Sequence, residues 1–247
     1  IYSLKDSETV NQAKKIKLKR MKSLGFNTLY VGFESGSNQQ LQRYNKGITR
    51  EESIIAINIL KELQINIDGG FITFDPLMTL EDCLKNVSFL KEADVPKLLL
   101  FPFNHLIAFN GTIYFSMLKK NRFLVDLKVN RLLKTVKIID KFIPYELFEL
   151  FLQKLRLYYF ANTEQTMIRK YEDILRDYGN LSLPFLEKLV CALLNDITDF
   201  DLNLMINRFL EEHKMFSSDL NLWFKKEEPE LFMTYTIPEI NEIRTHL

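Results

Sequence analysis

Cysteine and histidine are scarce in this chain. Cys83 and Cys191 lie far apart, and His105, His213 and His246 form no H-x-x-H or H-E-x-x-H pair. That excludes a disulfide framework and a local thiolate cage, fits a reducing cytoplasm, and argues against a zinc site. Long apolar runs are missing too: nothing approaches the roughly 18 uninterrupted residues of a membrane helix, and no start reads as a signal peptide. Charge bias is also absent. With 33 Lys and Arg against 32 Asp and Glu the formal net charge is +1, so nothing global points to nucleic acid or an anionic membrane. Glycine is missing from most of the second half: seven of eight lie at or before Gly111, and only Gly179 follows. The expectation is a cytoplasmic protein with no metal ligands of its own, no nucleic-acid partner and no membrane partner.

What is there is the material of a folded protein. Hydrophobic residues make up 47% and charged residues 26% of 247 positions, enough for one large domain or two small ones. The glycine distribution divides them, because α/β regions need glycine at turns and close approaches while packed helices do not. The expected domains are 1–118, α/β, and 119–247, all α-helical, with the boundary between Leu118 and Arg122.

In the first part helix and strand signals alternate. Val10 to Leu24 has helical spacing, with Gly25 as its C-terminal cap. Thr28 to Phe33 is a β-branched and aromatic run ending in Glu34-Ser35-Gly36-Ser37. Thr49-Arg50-Glu51-Glu52 is a capping box that opens a second helix. Ile65 to Phe74 reads as a strand before Asp75-Pro76, and Thr79-Leu80-Glu81-Asp82 opens a third helix. Lys97 to Phe101 reads as a third strand, followed by a loop to Asn110-Gly111-Thr112. This order suits a parallel sheet of about three strands.

Beyond Asn121 the period is helical throughout. Expected helices are Leu124 to Phe142, Tyr145 to Ala161, Glu164 to Tyr178, Leu183 to Asn195 and Phe200 to His213. Pro184 is placed near a helix start. The many aromatic residues of this half, among them Phe148, Phe151, Phe185, Phe209 and Trp223, are read as core. Lys225-Lys226-Glu227-Glu228 is read as a solvated turn or helix end, and Lys14 to Lys22 as a solvated face.

Three motifs in order carry a resemblance. Tyr30-Val31-Gly32-Phe33-Glu34-Ser35-Gly36-Ser37 followed by Asn45-Lys46-Gly47-Ile48-Thr49 is similar to the fourth strand of the radical S-adenosylmethionine (SAM) barrel. Gly70-Phe71-Ile72-Thr73-Phe74-Asp75-Pro76 with Thr79-Leu80-Glu81-Asp82 is similar to its fifth, in a variant associated with members that carry a cobalamin-binding domain. Asn110-Gly111-Thr112 stands where such members have Pro-Gly-Thr. The resemblance covers roughly Leu18 to Leu118 and departs from the family pattern at Phe74, Leu77, Met78 and Asn110.

The resemblance implies a partial radical SAM (TIM-like) barrel followed by an all-α domain. It implies SAM, a [4Fe–4S] cluster and, in some members, cobalamin as cofactors of the parent enzyme, for radical chemistry or methyl transfer on a small molecule or peptide. It places Glu34 and Ser35 at the polar groups of SAM, and Phe71, Ile72 and Phe74 near the adenine. Asn110, Gly111 and Thr112 fall nearer the substrate; no catalytic residue is assigned. The Cys-x3-Cys-x2-Cys segment that ligates the cluster is absent, so this chain is expected to be a C-terminal part that is inactive alone. The alternative is a degenerate, partner-binding chain. An unrelated α/β nucleotide enzyme fits less well, because Gly69-Gly70 opens no G-x-G-x-x-G turn after a strand.

Overall fold

The computed structural model describes residues 1–93, 106–121, 126–142 and 165–227. The chain divides into two compact units, Ile1–Val125 and Asp126–Leu247.

Among the described residues, the first unit is built on a two-stranded parallel sheet. Its elements are α1 (Glu8–Ser23), β1 (Thr28–Glu34), α2 (Asn38–Arg43), α3 (Arg50–Glu62), β2 (Asn66–Phe71), α4 (Leu80–Glu92) and α5 (Ile113–Asn121). Residues two apart on a strand share a face. Leu29, Val31 and Ile67 pack against the cluster of Leu18, Leu60 and Ile65, so this face of the sheet is covered by α1 and α3. Phe71 stacks on Phe89 of α4, ring centroids 5.6 Å apart. The opposite face carries Tyr30, Gly32 and Glu34 of β1 beside Asp68 and Gly70 of β2.

The helix starts follow their caps. Thr49 and Thr79 head capping boxes with Glu52 and Asp82, satisfying backbone amides that the first turn leaves free. Glu52 does more than cap. Its Oε1 accepts hydrogen bonds from Ser3 Oγ (2.9 Å) and Leu4 N (2.7 Å), tying the N-terminal segment to α3. Gly25, at φ +95°, follows α1 in the left-handed conformation the sequence suggested.

Several expectations are adjusted. The second strand is shorter than Ile65 to Phe74, because the backbone leaves the ladder after Phe71 and Phe74 O instead accepts from Leu106 N at 2.9 Å. Leu118 lies inside α5, and the two units meet at Val125 and Asp126 in the chain. The third expected strand, Lys97 to Phe101, and the expected helix Tyr145 to Ala161 fall outside the described residues.

The second unit contains α6 (Leu127–Phe142), α7 (Gln165–Leu194) and α8 (Asp199–Glu227). Pro184 does not start a helix: α7 runs through it, joining the two helices expected on either side. An interior proline costs about 3 kcal/mol. Leu186, Leu189, Val190 and Leu193, all fully buried, outweigh this at about 1.5–3 kcal/mol each. The last helix extends beyond His213 to Glu227, with Lys225 and Lys226 in its final turn. Phe185, Phe209 and Trp223 are buried as expected, whereas Phe200 is exposed. Phe148 and Phe151 lie outside the described residues. No helix among the described residues is long and apolar enough to cross a membrane.

At the centre of this unit His213 is fully buried. It stacks on Tyr178 with ring centroids 5.2 Å apart, and its Nε2 lies 3.3 Å from Ser182 Oγ. Burial disfavours the imidazolium and lowers its pKa to about 4. A lowered folded-state pKa contributes stability that is present above the unfolded value and is lost as pH falls toward the folded one. Between pH 6.5 and about 4 the second unit should lose about 3 kcal/mol. Urea denaturation of the chain and of His213→Phe at pH 7 and pH 4.5 checks this. Most of the acid-induced loss should vanish in the variant, and equal losses in both would show that His213 is not its source.

Candidate functional site

At the carboxyl ends of the two strands the chain makes a sharp turn at Glu34. Ser35 N donates to Phe33 O at 2.8 Å, the i→i+2 bond of a γ-turn. Glu34 has φ +63°, a left-handed conformation that is strained for a residue with a side chain and persists only when its surroundings enforce it. Three contacts do so. Ile72 N donates to Glu34 O at 2.7 Å, Lys46 Nζ pairs with Glu34 Oε1 at 2.7 Å, and α4 clamps the next two residues from below.

That clamp is Asn86, a fully buried amide of α4. Its Oδ1 accepts from Gly36 N (2.8 Å) and Ser35 Oγ (2.8 Å), and its Nδ2 donates to Gln40 Oε1 (2.8 Å) and Thr73 O (3.1 Å). All four hydrogen-bonding capacities of the amide are used. One side chain therefore joins the turn after β1 to the chain after β2. Gly36 permits the close approach, because a Cβ there would lie 2.3 Å from Phe89 Cβ and 2.8 Å from Lys85 O.

Two buried carboxylates complete the base. Asp75 Oδ2 accepts from Gln40 Nε2 (2.6 Å), Tyr44 Oη (2.8 Å) and Arg43 Nη2 (3.4 Å). Its Oδ1 accepts from Leu77 N (2.7 Å) and Tyr114 Oη (2.5 Å). Asp82 accepts from Ser37 Oγ, Thr79 N (3.0 Å) and Arg43 Nη2 (3.0 Å). Burial works against the charge of Asp82, but the bonds from Ser37, Thr79 and Arg43 outweigh it and hold its pKa below the usual carboxylate range. Burial, reinforced by the Asp75 carboxylate, pushes the phenols of Tyr44 and Tyr114 well above their ordinary value. Both phenols therefore remain donors.

The residues singled out from sequence separate into two groups. Glu34 and Ile72 are half-buried at the strand ends, and Asn110, Gly111 and Thr112 are exposed. Ser35, Phe71 and Phe74 are buried. Ser35 is engaged with Gln40, Asn86 and Ser37 N, and Phe71 with the α4 side of the sheet. Thr112 Oγ1 accepts from Phe115 N at 3.1 Å and so caps α5, the helix that delivers Tyr114 to Asp75. Sequence reasoning missed Asn86, Gln40, Arg43, Tyr44, Tyr114 and Lys46. Only Lys46 stood inside a quoted motif; the others come from helices whose facing partners no spacing rule identifies. A cavity of about 650 Å³ opens elsewhere, on the helix side, where Asn38, Arg50, Glu51 and Lys85 line it. It does not include Glu34 or Lys46.

For the cofactors that the resemblance implies, the donor sets differ. Cys83 is buried in α4 and Cys191 is exposed in the second unit, so the two thiols do not fit a three-thiolate iron–sulfur ligand set. No group of three or more His, Cys, Asp or Glu among the described residues is placed to hold a metal ion. The Glu34–Lys46 pair places one negative and one positive group side by side at a strand end, where ligands of parallel sheets bind.

No family model matches the chain. Over 71 residues it is 51% identical to the 4′-phospho-dehydrooxetanocin synthase of Priestia megaterium, which covers 28% of this chain and 10% of that protein. Over 89 residues it is 35% identical to an uncharacterized methyltransferase of Pyrococcus horikoshii, covering 36% of this chain and 19% of the relative. In fold, 99% of the chain is similar to 44% of the cobalamin-dependent S-adenosylmethionine radical enzyme OxsB, solved with aqua-cobalamin and SAM bound, at TM-score 0.56 and 18% identity. OxsB is also a structural neighbour with aqua-cobalamin alone, at TM-score 0.56 and 19% identity. The chain thus spans less than half of these solved proteins and a fifth or less of the two relatives. The likeness to radical SAM enzymes, and to cobalamin-dependent members among them, is present in these neighbours.

The clamp has a measurable consequence. Asn86→Asp removes two donors that face Gln40 Oε1 and Thr73 O and buries a charge, so it should cost about 3–5 kcal/mol. Ser35→Ala, which removes one shared hydroxyl, should cost about 1 kcal/mol. Urea denaturation at pH 7 separates them; a cost for Asn86→Asp no larger than that for Ser35→Ala would show that the four-way bridge does not exist.

Proposed function

We propose that this chain forms part of the SAM-binding wall of a radical SAM enzyme with cobalamin-dependent relatives, its two strands belonging to a TIM-like barrel. The observation that carries the reading is the strained Glu34 turn with Lys46 on its carboxylate, built on a buried scaffold that exists to hold it. The motif order and the fold of OxsB support the same reading. SAM in such an enzyme supplies either a carbon-centred radical or a methyl group.

Within that reading the chain's own residues divide the work. The Glu34 carboxylate and Lys46 ammonium exchange their mutual contact for the ammonium and carboxylate of the SAM amino-acid portion. Ile72, half-buried at the end of β2, presents an apolar surface beside them. Ser35, Phe71 and Phe74 serve the site indirectly, by fixing the turn and the strand end from the helix side. Asn110 and Gly111 lie in the exposed turn before α5 and belong to the substrate side. Ligation of a cluster by three thiolates needs more cysteines than the two of this chain. A non-catalytic binding protein is the second reading, favoured by the chain's two-cysteine composition.

Isothermal titration with S-adenosylhomocysteine, which needs no cluster reduction, tests the site. Glu34→Gln and Lys46→Met should each weaken binding about ten- to a hundredfold, the size expected for a charged hydrogen bond. Lys85→Met, on the helix side, should leave it unchanged. Equal affinity in all three variants would overturn the assignment of Glu34 and Lys46.

A further inference from the structure

The sheet face turned away from the helices also carries Tyr30 and Asp68. Register sets Gly32 directly beside Gly70, and Tyr30 beside Asp68. A cross-strand glycine pair bares the backbone between the Tyr30 tier and the Glu34 tier. Neighbouring side chains lean over this bare strip. A Cβ on Gly70 would lie 2.6 Å from Tyr30 Oη and 3.6 Å from Gly32 Cα. A Cβ on Gly32 would lie 2.4 Å from Glu34 Oε1 and 3.7 Å from Lys46 Nζ. Phenol, carboxylate and ammonium therefore converge over a single glycine pair, the first above Gly70 and the other two above Gly32. Tyr30 is 67% exposed within this chain.

From this convergence we infer that Tyr30 is a ligand-contacting residue of the same site, meeting the nucleoside portion of a ligand whose amino-acid portion pairs with Glu34 and Lys46. The inference rests on the reading above. Its chemistry is that of the side chain: an aromatic face suits a ribose or purine ring, and the hydroxyl at its tip exchanges hydrogen bonds with ring nitrogens or sugar hydroxyls. The glycine pair has a matching purpose, since any side chain at Gly70 would displace the phenol and any at Gly32 would displace the carboxylate.

Two variants reach Tyr30 by different routes. Tyr30→Phe deletes the hydroxyl and keeps the ring. Gly70→Ala pushes the hydroxyl aside, and because the one close contact of the new methyl is the far end of an exposed side chain, the fold should be retained. S-adenosylhomocysteine is titrated into the full chain by calorimetry, with melting temperatures recorded alongside. In parallel, the chain labelled with 3-fluorotyrosine is followed by ¹⁹F NMR, the Tyr30 resonance being assigned by its loss in Tyr30→Phe. Both variants should bind about fivefold more weakly, the effect of one neutral hydrogen bond, at unchanged melting temperature, and the Tyr30 resonance should shift on titration. If Glu34→Gln weakens binding while Tyr30→Phe and Gly70→Ala bind as the parent chain does and the resonance stays in place, the role of Tyr30 is overturned and the site stands. If Glu34→Gln has no effect, or the parent chain does not bind, the underlying reading fails and this inference with it.

Discussion

Asp75 and Asp82 are buried with a single guanidinium between them, and the first unit is organised around keeping those two charges satisfied. Removing a carboxylate from water costs several kcal/mol unless it is paired and hydrogen-bonded. Arg43 bonds to both, and neutral donors take up much of their remaining capacity. Those donors arrive from separate stretches of chain: Ser37 from the turn after β1, Gln40 and Tyr44 from α2 and its C-cap, Thr79 and Leu77 from the turn before α4, and Tyr114 from α5. A network with so many contributors closes only when every contributor is in place, which makes it a device for specifying one arrangement.

On top of that base sits the one strained residue of the strand ends. Glu34 would relax from its left-handed conformation if the turn were loose. It is held by Asn86 through Gly36 and Ser35, by Ile72 through its carbonyl, and by Lys46 through its carboxylate. The sheet thereby has two distinct surfaces. The helix side is apolar and packed, with Phe71 and Phe89 in contact and Leu29 and Val31 against the α1 and α3 core. The other side is polar and presents Tyr30, Glu34 and Lys46 around bare backbone. Division of labour between faces is what a parallel sheet at a binding site requires: one face supplies stability and the strand ends supply chemistry.

Much of the frame was legible in the sequence because it depends on local rules. Thr49 and Thr79 announce their helices through the spacing to Glu52 and Asp82, and Gly25 announces the end of α1. The order of helix and strand signals suits the parallel pairing of β1 and β2, and Glu34, marked by the resemblance, stands at the end of β1. Pro184 was misread because a local rule, that proline favours helix starts, was overruled by the burial of the leucines that follow it. The resemblance set Ser35 beside Glu34; its side chain is buried and bonded to Gln40, Asn86 and Ser37, as adjacent positions along a strand face opposite sides.

What the sequence determined by itself is therefore the paired strands and the capped helices of the first unit and their order, though not α2 or α5, since caps, periodicity and turn residues act within a few positions of one another. What only the tertiary structure decided is which distant residues meet: Asn86 with Ser35 and Gly36, Tyr114 with Asp75, and Lys46 with Glu34. The physical reason is that a hydrogen bond or ion pair depends on distance and direction in space. Residues separated by tens of positions acquire both only when the packed sheet and helices bring them together.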